Sequence, residues 1–187
     1  ATDEPLDALG TAPSSERIAA EMQRIAGERF GATSRQGRAV QALYRPGTDA
    51  PVFISGGQHA NEISGIVGAL RAARTLDNHP GAHFALMALE NPDGYALHRE
   101  LRSHNAEHMH HAARYSALGD DIEYRKGAPL YERAARQQAL ARSGAQLHLN
   151  LHGYPAHEWT RPLSGYVPRG FELWTIPKGF FLILRYH

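Results

Sequence analysis

The sequence predicts an α/β protein whose strands lie in a layered, largely parallel sheet. Three observations predict it. Short apolar runs of strand length recur along the chain as "PVFIS", "HFALMALE" and "AQLHLNLHG". Amphipathic stretches of helical period stand between them. Connections of that length are too long for hairpins, so successive strands cross over a helix and pair in parallel.

The elements follow in order. "PSSERIAAEMQRIAGERF" sets Ile18, Met22 and Ile25 at helical spacing behind a Ser-Ser-Glu start, and reads as an N-terminal helix. "RAVQALYR" alternates as a half-buried strand, and "PVFIS" is a buried strand ended by Gly56 and Gly57. "NEISGIVGALRAARTL" carries Ile63, Ile66, Val67 and Leu70 on one face, a helix with Asn61 as its cap. "HFALMALE" suits a strand covered on both faces, and "NPDG" after it reads as a turn. "APLYERAARQQALARSG" is a helix closed by Gly144. "AQLHLNLHG" alternates, with Leu147, Leu149 and Leu151 on one side and His148, Asn150 and His152 on the other. No repeat, low-complexity tract or linker interrupts the chain, so the expectation is a single domain over residues 1–187.

Composition narrows the function. The chain has 187 residues and 42% hydrophobic content, enough for a core. Lys plus Arg (20) balance Asp plus Glu (19), which excludes the basic footprint of a nucleic-acid partner. No apolar run approaches the ~18 residues of a membrane span, and "GFFLILRY" is only strand-sized. Cysteine is absent, which removes disulfides, thiol catalysis and thiolate metal sites but leaves the compartment open. The chain opens "ATDEPLDALG" with no initiator Met or signal peptide, as a processed or cut start would. There are 12 His against 3 Met, four of them in "HNAEHMHH". Any metal would then be held by imidazole and carboxylate, which suit zinc.

Ligands collect at the carboxyl ends of strands in layered α/β sheets. Three polar stretches fall there: "GGQHANE", "ENPDGY" and "HGYPAHEW". His59 and Glu62 from the first and His152 from the third make up a His₂Glu set for one zinc ion with an open position for water. The His-x-x-Glu spacing alone is a weak signal, since capping boxes also favour a downstream Glu. Its place after two glycines at a strand end, with a second His at another strand end, strengthens it. Of the other histidines, His108, His110 and His111 read as a surface cluster, His148 as a hydrogen-bonded core residue and His157 as a group orienting a ligand. Asp93 reads as a turn residue, and Asp120 and Asp121 as loop-forming.

"GGQHANEISG", "ENPDGY" and "LNLHGYPAHEW", in that order over residues 52–159, resemble the zinc carboxypeptidase family. The resemblance implies a three-layer α/β/α fold with a mixed, largely parallel central sheet. It implies His59, Glu62 and His152 as ligands of one Zn²⁺, with Tyr154 in substrate binding. It implies hydrolysis of a C-terminal residue from peptides or peptide-like amides. An Arg-bearing segment of the family holds the substrate carboxylate; the nearest counterpart here is "HHAARYSALGDD", with Arg114, which suits a bidentate clamp. Arg114 and Arg102 are expected to act on the reacting carbonyl, and Arg114 and Arg99 to bind substrate. The family's general-base Glu lies several dozen residues beyond its last ligand. After His152 only Glu158 and Glu172 precede His187, so the base is expected beyond the sequence, in a longer protein. Two alternatives keep the same residues: a zinc-dependent deacylase of N-acyl amino acids, and a non-catalytic zinc- or peptide-binding module lacking the base.

Overall fold

Glu28–Thr33 (β1), Ala39–Arg45 (β2), Val52–Gly56 (β3), Phe84–Met87 (β4) and Leu147–Leu151 (β5) form one sheet in the order β1-β2-β4-β3-β5. The computed structural model describes residues 4–106, 110–153 and 182–184 of the chain. Residues 1–153 make up one compact unit, and 154–187 are grouped separately. β3 pairs in parallel with both β4 and β5, whereas β2 is antiparallel to β1 and β4. The sheet is mixed, as expected, and its parallel half is the half that carries the candidate site.

Among the described residues four α-helices flank it: Ser15–Gln23 (α1), Ile63–Asp77 (α2), Pro92–His104 (α3) and Glu132–Ser143 (α4). Alternation along the strands decides which helix meets which face. Ile54, Phe84 and Leu86 point to one side, where they pack with Ile18 and Met22 of α1, Ile66, Ala69 and Leu70 of α2 and Tyr95 of α3. Phe53, Ala85 and Met87 point to the other side, against Ala135 and Ala139 of α4. The result is helix, sheet, helix: three layers. Each fully buried Phe, Leu or Ile is worth roughly 1.5–3 kcal/mol, so both faces contribute to holding the sheet between its helices.

Four local expectations need correction. The N-terminal helix stops at Gln23, and "ERFGAT" turns out to be β1. Gly27 explains the switch: its φ is 145°, and a Cβ there would come within 2.7 Å of the Tyr44 carbonyl oxygen. Asn61 does not cap α2. Glu62 occupies that position without a side-chain capping bond, and both polar atoms of the Asn61 amide are buried without a hydrogen-bond partner among the described residues. "NPDG" is not a free turn but the start of α3. Asn91 caps it by accepting from the Gly94 N–H at 2.9 Å, and Pro92 sits in the first turn, where its missing N–H costs nothing. Of the "GFFLILRYH" stretch read as a strand, Leu182, Ile183 and Leu184 are described; they are exposed and lie in no strand.

Asp93 is also more than a turn residue. Its buried carboxylate accepts from Ser34 Oγ at 2.7 Å, from the Gln36 N–H at 2.9 Å and from Arg38 at 2.9 Å. It thereby ties the β1–β2 hairpin turn to α3.

Candidate metal centre

The site forms where the parallel strands end. After β3 the chain turns through Gly57, whose φ of 65° lies in the left-handed region that favours glycine. The turn carries Gln58 and His59 over the sheet edge, and Glu62 follows one residue before α2. On β5 the odd-numbered leucines and even-numbered polar residues alternate, and His152 comes directly after the strand. Two close approaches bring the strand ends together. A Cβ on Gly56 would meet the Gly65 carbonyl oxygen at 2.5 Å, and one on Gly65 would run into the Leu151 carbonyl oxygen. Glycine at both positions lets α2 lie directly on β3 and β5, and so sets Glu62 beside His152.

The three residues converge. One ligand atom from each of His59, Glu62 and His152 lies within 4.8 Å of the others. His59 Nδ1 stands 2.9 Å from Glu62 Oε1, His152 Nδ1 stands 2.8 Å from Glu62 Oε2, and the two Nδ1 atoms face each other at 3.1 Å. Arg114 Nη1 approaches His59 Nδ1 at 3.0 Å as well. A single ring nitrogen can make one hydrogen bond, yet three polar groups crowd this one. Ligand atoms around a tetrahedral zinc at about 2.0–2.1 Å would stand roughly 3.3 Å apart, close to the spacing found. The donor set therefore fits a zinc-sized cation.

Electrostatics agree. Burial pushes the Glu62 carboxyl up, but hydrogen bonds with His152 and His59 outweigh it and hold it at about 2, so it is ionised at neutral pH. Burial works against protonation of His59, yet the hydrogen bonds to Asp121 and Glu62 prevail and raise its pKa. Both shifts say that positive charge is favoured among these side chains. The His59 and Glu62 side chains are 7% and 8% exposed, against 34% for His152 and 32% for Arg114, so the site opens on the His152–Arg114 side.

Asp121 is more than the loop-forming residue that the sequence predicts. Its Oδ2 lies 3.0 Å from His59 Nε2, and burial of its carboxyl is more than offset by the hydrogen bonds with His59 and the Glu123 N–H, which lower its pKa. In the neutral ring, Asp121 at Nε2, which can only accept, and Arg114 at Nδ1, which can only donate, favour the Nε2–H tautomer against the pull of the Glu62 carboxylate on Nδ1. That tautomer leaves Nδ1 able to serve as a ligand atom, the arrangement in which a carboxylate orients a metal-binding His. Nothing in the spacing of "GDDIEYR" signals this.

Arg114 sits at the end of the short 3₁₀ turn His111–Arg114, within 3.6 Å of both Glu62 and Asp121. The "NPDG" motif holds that turn: Asn91 Nδ2 donates to the Tyr115 carbonyl at 3.0 Å, and Gly94 leaves room for the Ala113 carbonyl. The other two arginines go elsewhere. Arg99 donates to the Pro13 carbonyl at 3.2 Å, and Arg102 lines a shallow groove with Leu9, Ile63 and Val67. Among the described residues no hydrogen bond or ion pair joins either to His59, Glu62 or His152. His110 is buried, with Nε2 2.9 Å from the Asn105 carbonyl, rather than part of a surface cluster. His148 is hydrogen-bonded as expected, 2.8 Å from Ser55 Oγ and stacked on Phe53. Tyr154, His157, Glu158, Glu172 and His108 lie outside the described residues.

No protein-family model and no curated protein matches the sequence. Solved structures do match. A metallo-carboxypeptidase from Pseudomonas aeruginosa, in complex with (2-guanidinoethylmercapto)succinic acid, is 25% identical with a TM-score of 0.53, over 76% of this chain and 40% of that one. A metallo-carboxypeptidase from Burkholderia cenocepacia is 18% identical with a TM-score of 0.56, over 76% and 42%. Carboxypeptidase A from Helicoverpa armigera is 13% identical with a TM-score of 0.55, over 81% and 49%. The chain thus spans two fifths to one half of these proteins' lengths. Its sheet, its flanking helices and its likeness to these structures agree with the resemblance carried by the sequence motifs: the chain has the metallo-carboxypeptidase fold.

Proposed function

We propose that this chain is the metal-bearing part of a single catalytic domain, that of a zinc-dependent hydrolase which removes a C-terminal residue from peptides or peptide-like amides. One observation carries the reading: His59, Glu62 and His152 converge at the strand ends of a metallo-carboxypeptidase fold. Zinc held there would polarise the scissile carbonyl and make water nucleophilic near neutral pH. Asp121 fixes the His59 ring, and Glu62 supplies an ionised carboxylate. Arg114, beside His59 on the open side, donates hydrogen bonds to the carbonyl oxygen as charge develops on it. Arg114 thus serves the reacting carbonyl, within reach of His59 and Glu62. The Pseudomonas neighbour's ligand is a succinic acid derivative, which bears free carboxylates and fits a substrate ending in one.

The test is zinc content together with hydrolysis of peptides with free C-termini, the same peptides amidated, and N-acyl amino acids. Zinc uptake with cleavage of the free-carboxylate peptides is expected. Cleavage of N-acyl amino acids alone would transfer the site to a deacylase, and a protein that takes up no zinc would refute the reading.

A further inference from the structure

We propose that Gln58 is a positioning residue that fixes the ring of His59 through Asp121, and so couples the metal-ligand group to a buried ion pair on α4. The inference rests on the metal-site reading above and assigns a role to residues outside the ligand set.

The chain of contacts is continuous. Gln58 Nε2 donates to Asp121 Oδ1 at 2.8 Å, while the other Asp121 oxygen, Oδ2, is the one that meets His59 Nε2 at 3.0 Å. Gln58 Oε1 accepts from Arg136 Nη2 at 2.7 Å and from Asn150 Nδ2 at 2.8 Å. Arg136 is in turn clamped by Glu90, Nε to Oε2 at 2.8 Å and Nη2 to Oε1 at 2.9 Å, and also pairs with Glu123. Gln58, Glu90 and Arg136 are all buried, at 4%, 0% and 4% exposure.

The chemistry fixes the direction of the bonds that Gln58 makes with Arg136, Asn150 and Asp121; its Nε2 also stands 3.3 Å from His59 Nε2. A guanidinium and an amide NH₂ cannot accept, so Gln58 must turn its carbonyl oxygen to Arg136 and Asn150. Its NH₂ is then left facing Asp121, which as a carboxylate only accepts. Asp121 so held offers its second oxygen to a donor alone, and His59 must present Nε2–H. In the neutral ring Nδ1 then keeps its lone pair, which a cation between Glu62 and His152 would take. A glutamine at residue 58 reads the charge on α4 and sets the tautomer of its chain neighbour. No residue of another type is equivalent there: Glu lacks the donor for Asp121, and Met lacks both ends.

The experiment measures zinc affinity by chelator competition on the full chain, and the His59 tautomer by ¹⁵N-histidine NMR on the metal-free protein. Gln58→Met keeps the length of the side chain and removes the Asp121 contact; Gln58→Leu serves should Met prevent folding. At a pH where the ring is neutral, wild-type His59 is expected as the Nε2–H tautomer. In the variants it is expected as a mixture, with zinc affinity lower by about 10-fold or more. In an Asp121→Ala background Gln58→Met should change affinity by less than about twofold, because the two act in series. An unchanged tautomer and affinity in both variants would overturn the inference, as would a full tenfold loss in the Asp121→Ala background. A wild type that binds no zinc overturns the proposed function instead, and the tautomer in the metal-free protein still decides the role of Gln58.

Discussion

Asp121 Oδ2 and His59 Nε2 stand 3.0 Å apart, and this contact gives the His59 ring its polarity. The two residues are 62 positions apart in sequence and meet because a buried arginine braces the loop between them and α4. Arg125 binds both oxygens of Asp120, the residue before Asp121, at 2.6 and 2.8 Å, and reaches Glu132 of α4 at 2.6 Å and Ser116 at 2.8 Å. The loop is therefore anchored at the position next to the one that matters.

Asp121→Asn should test that contact with little change of shape. Gln58 would hold the new amide by its oxygen and turn its NH₂ toward His59, which favours the Nδ1–H tautomer and blocks the ligand atom. We expect zinc affinity to fall by about 10–100-fold, the usual cost of losing such a partner. Chelator competition measures it, and an affinity within twofold of wild type would contradict the assignment.

Arg114→Ala removes the donor on the open side of the site but no ligand. Turnover of free-carboxylate peptides should fall by about 10²–10³-fold, the cost of losing one donor to a developing oxyanion. Zinc stoichiometry should stay as in the wild type. The comparison of kcat with KM decides between two tasks: a loss in kcat places Arg114 at the carbonyl, and a rise in KM alone makes it the carboxylate clamp.

The sheet's parallel half and most helices were legible in the sequence because periodicity is a local signal. The grouping of His59, Glu62 and His152 was legible because each follows a strand end within a recognisable motif. β1 was not, because "ERFGAT" continues the polar-apolar rhythm of α1 and only the left-handed turn at Gly27 separates them. Asp121 and Gln58 were not either. Their roles depend on partners tens of residues away, and an Asp in a loop or a Gln before a His has no pattern of its own. Arg99 and Arg102 shared a charge with Arg114, but α3 points them away from the group.

Gly65→Ala tests the packing that brings Glu62 to His152. Its Cβ would press on the Leu151 carbonyl, one residue before His152, and neither backbone can retreat without moving a strand or a helix. Overpacking of this kind costs about 1–3 kcal/mol. Urea denaturation should show that loss, and zinc affinity should fall with it, since α2 and β5 would be wedged apart at the site. A variant of wild-type stability and affinity would mean that the contact relaxes freely.

A pH dependence of stability is expected away from the metal group. His98 on α3 is 5% exposed, and neither ring nitrogen has a hydrogen-bond partner among the described residues. Burial lowers its pKa to about 4, and the charges of Arg102, His110 and Arg99 act in the same direction; the Tyr95 ring, 6.1 Å away, adds no charge at these pH values. The neutral ring is the form the fold accepts. Above the ordinary histidine pKa, about 6.5, folded and unfolded chains both carry it neutral, and its contribution to stability is complete. As pH falls from there toward 4, the unfolded chain takes up a proton that the folded chain refuses, so stability falls, and the loss is complete below the folded pKa. The size is of the order of 1–3 kcal/mol. Urea denaturation of wild type and His98→Leu at pH 7.5 and pH 4.5 isolates it, because the variant lacks only that imidazole. Wild type should lose more stability than the variant between the two pH values. Equal losses would mean that His98 accepts its proton within the fold.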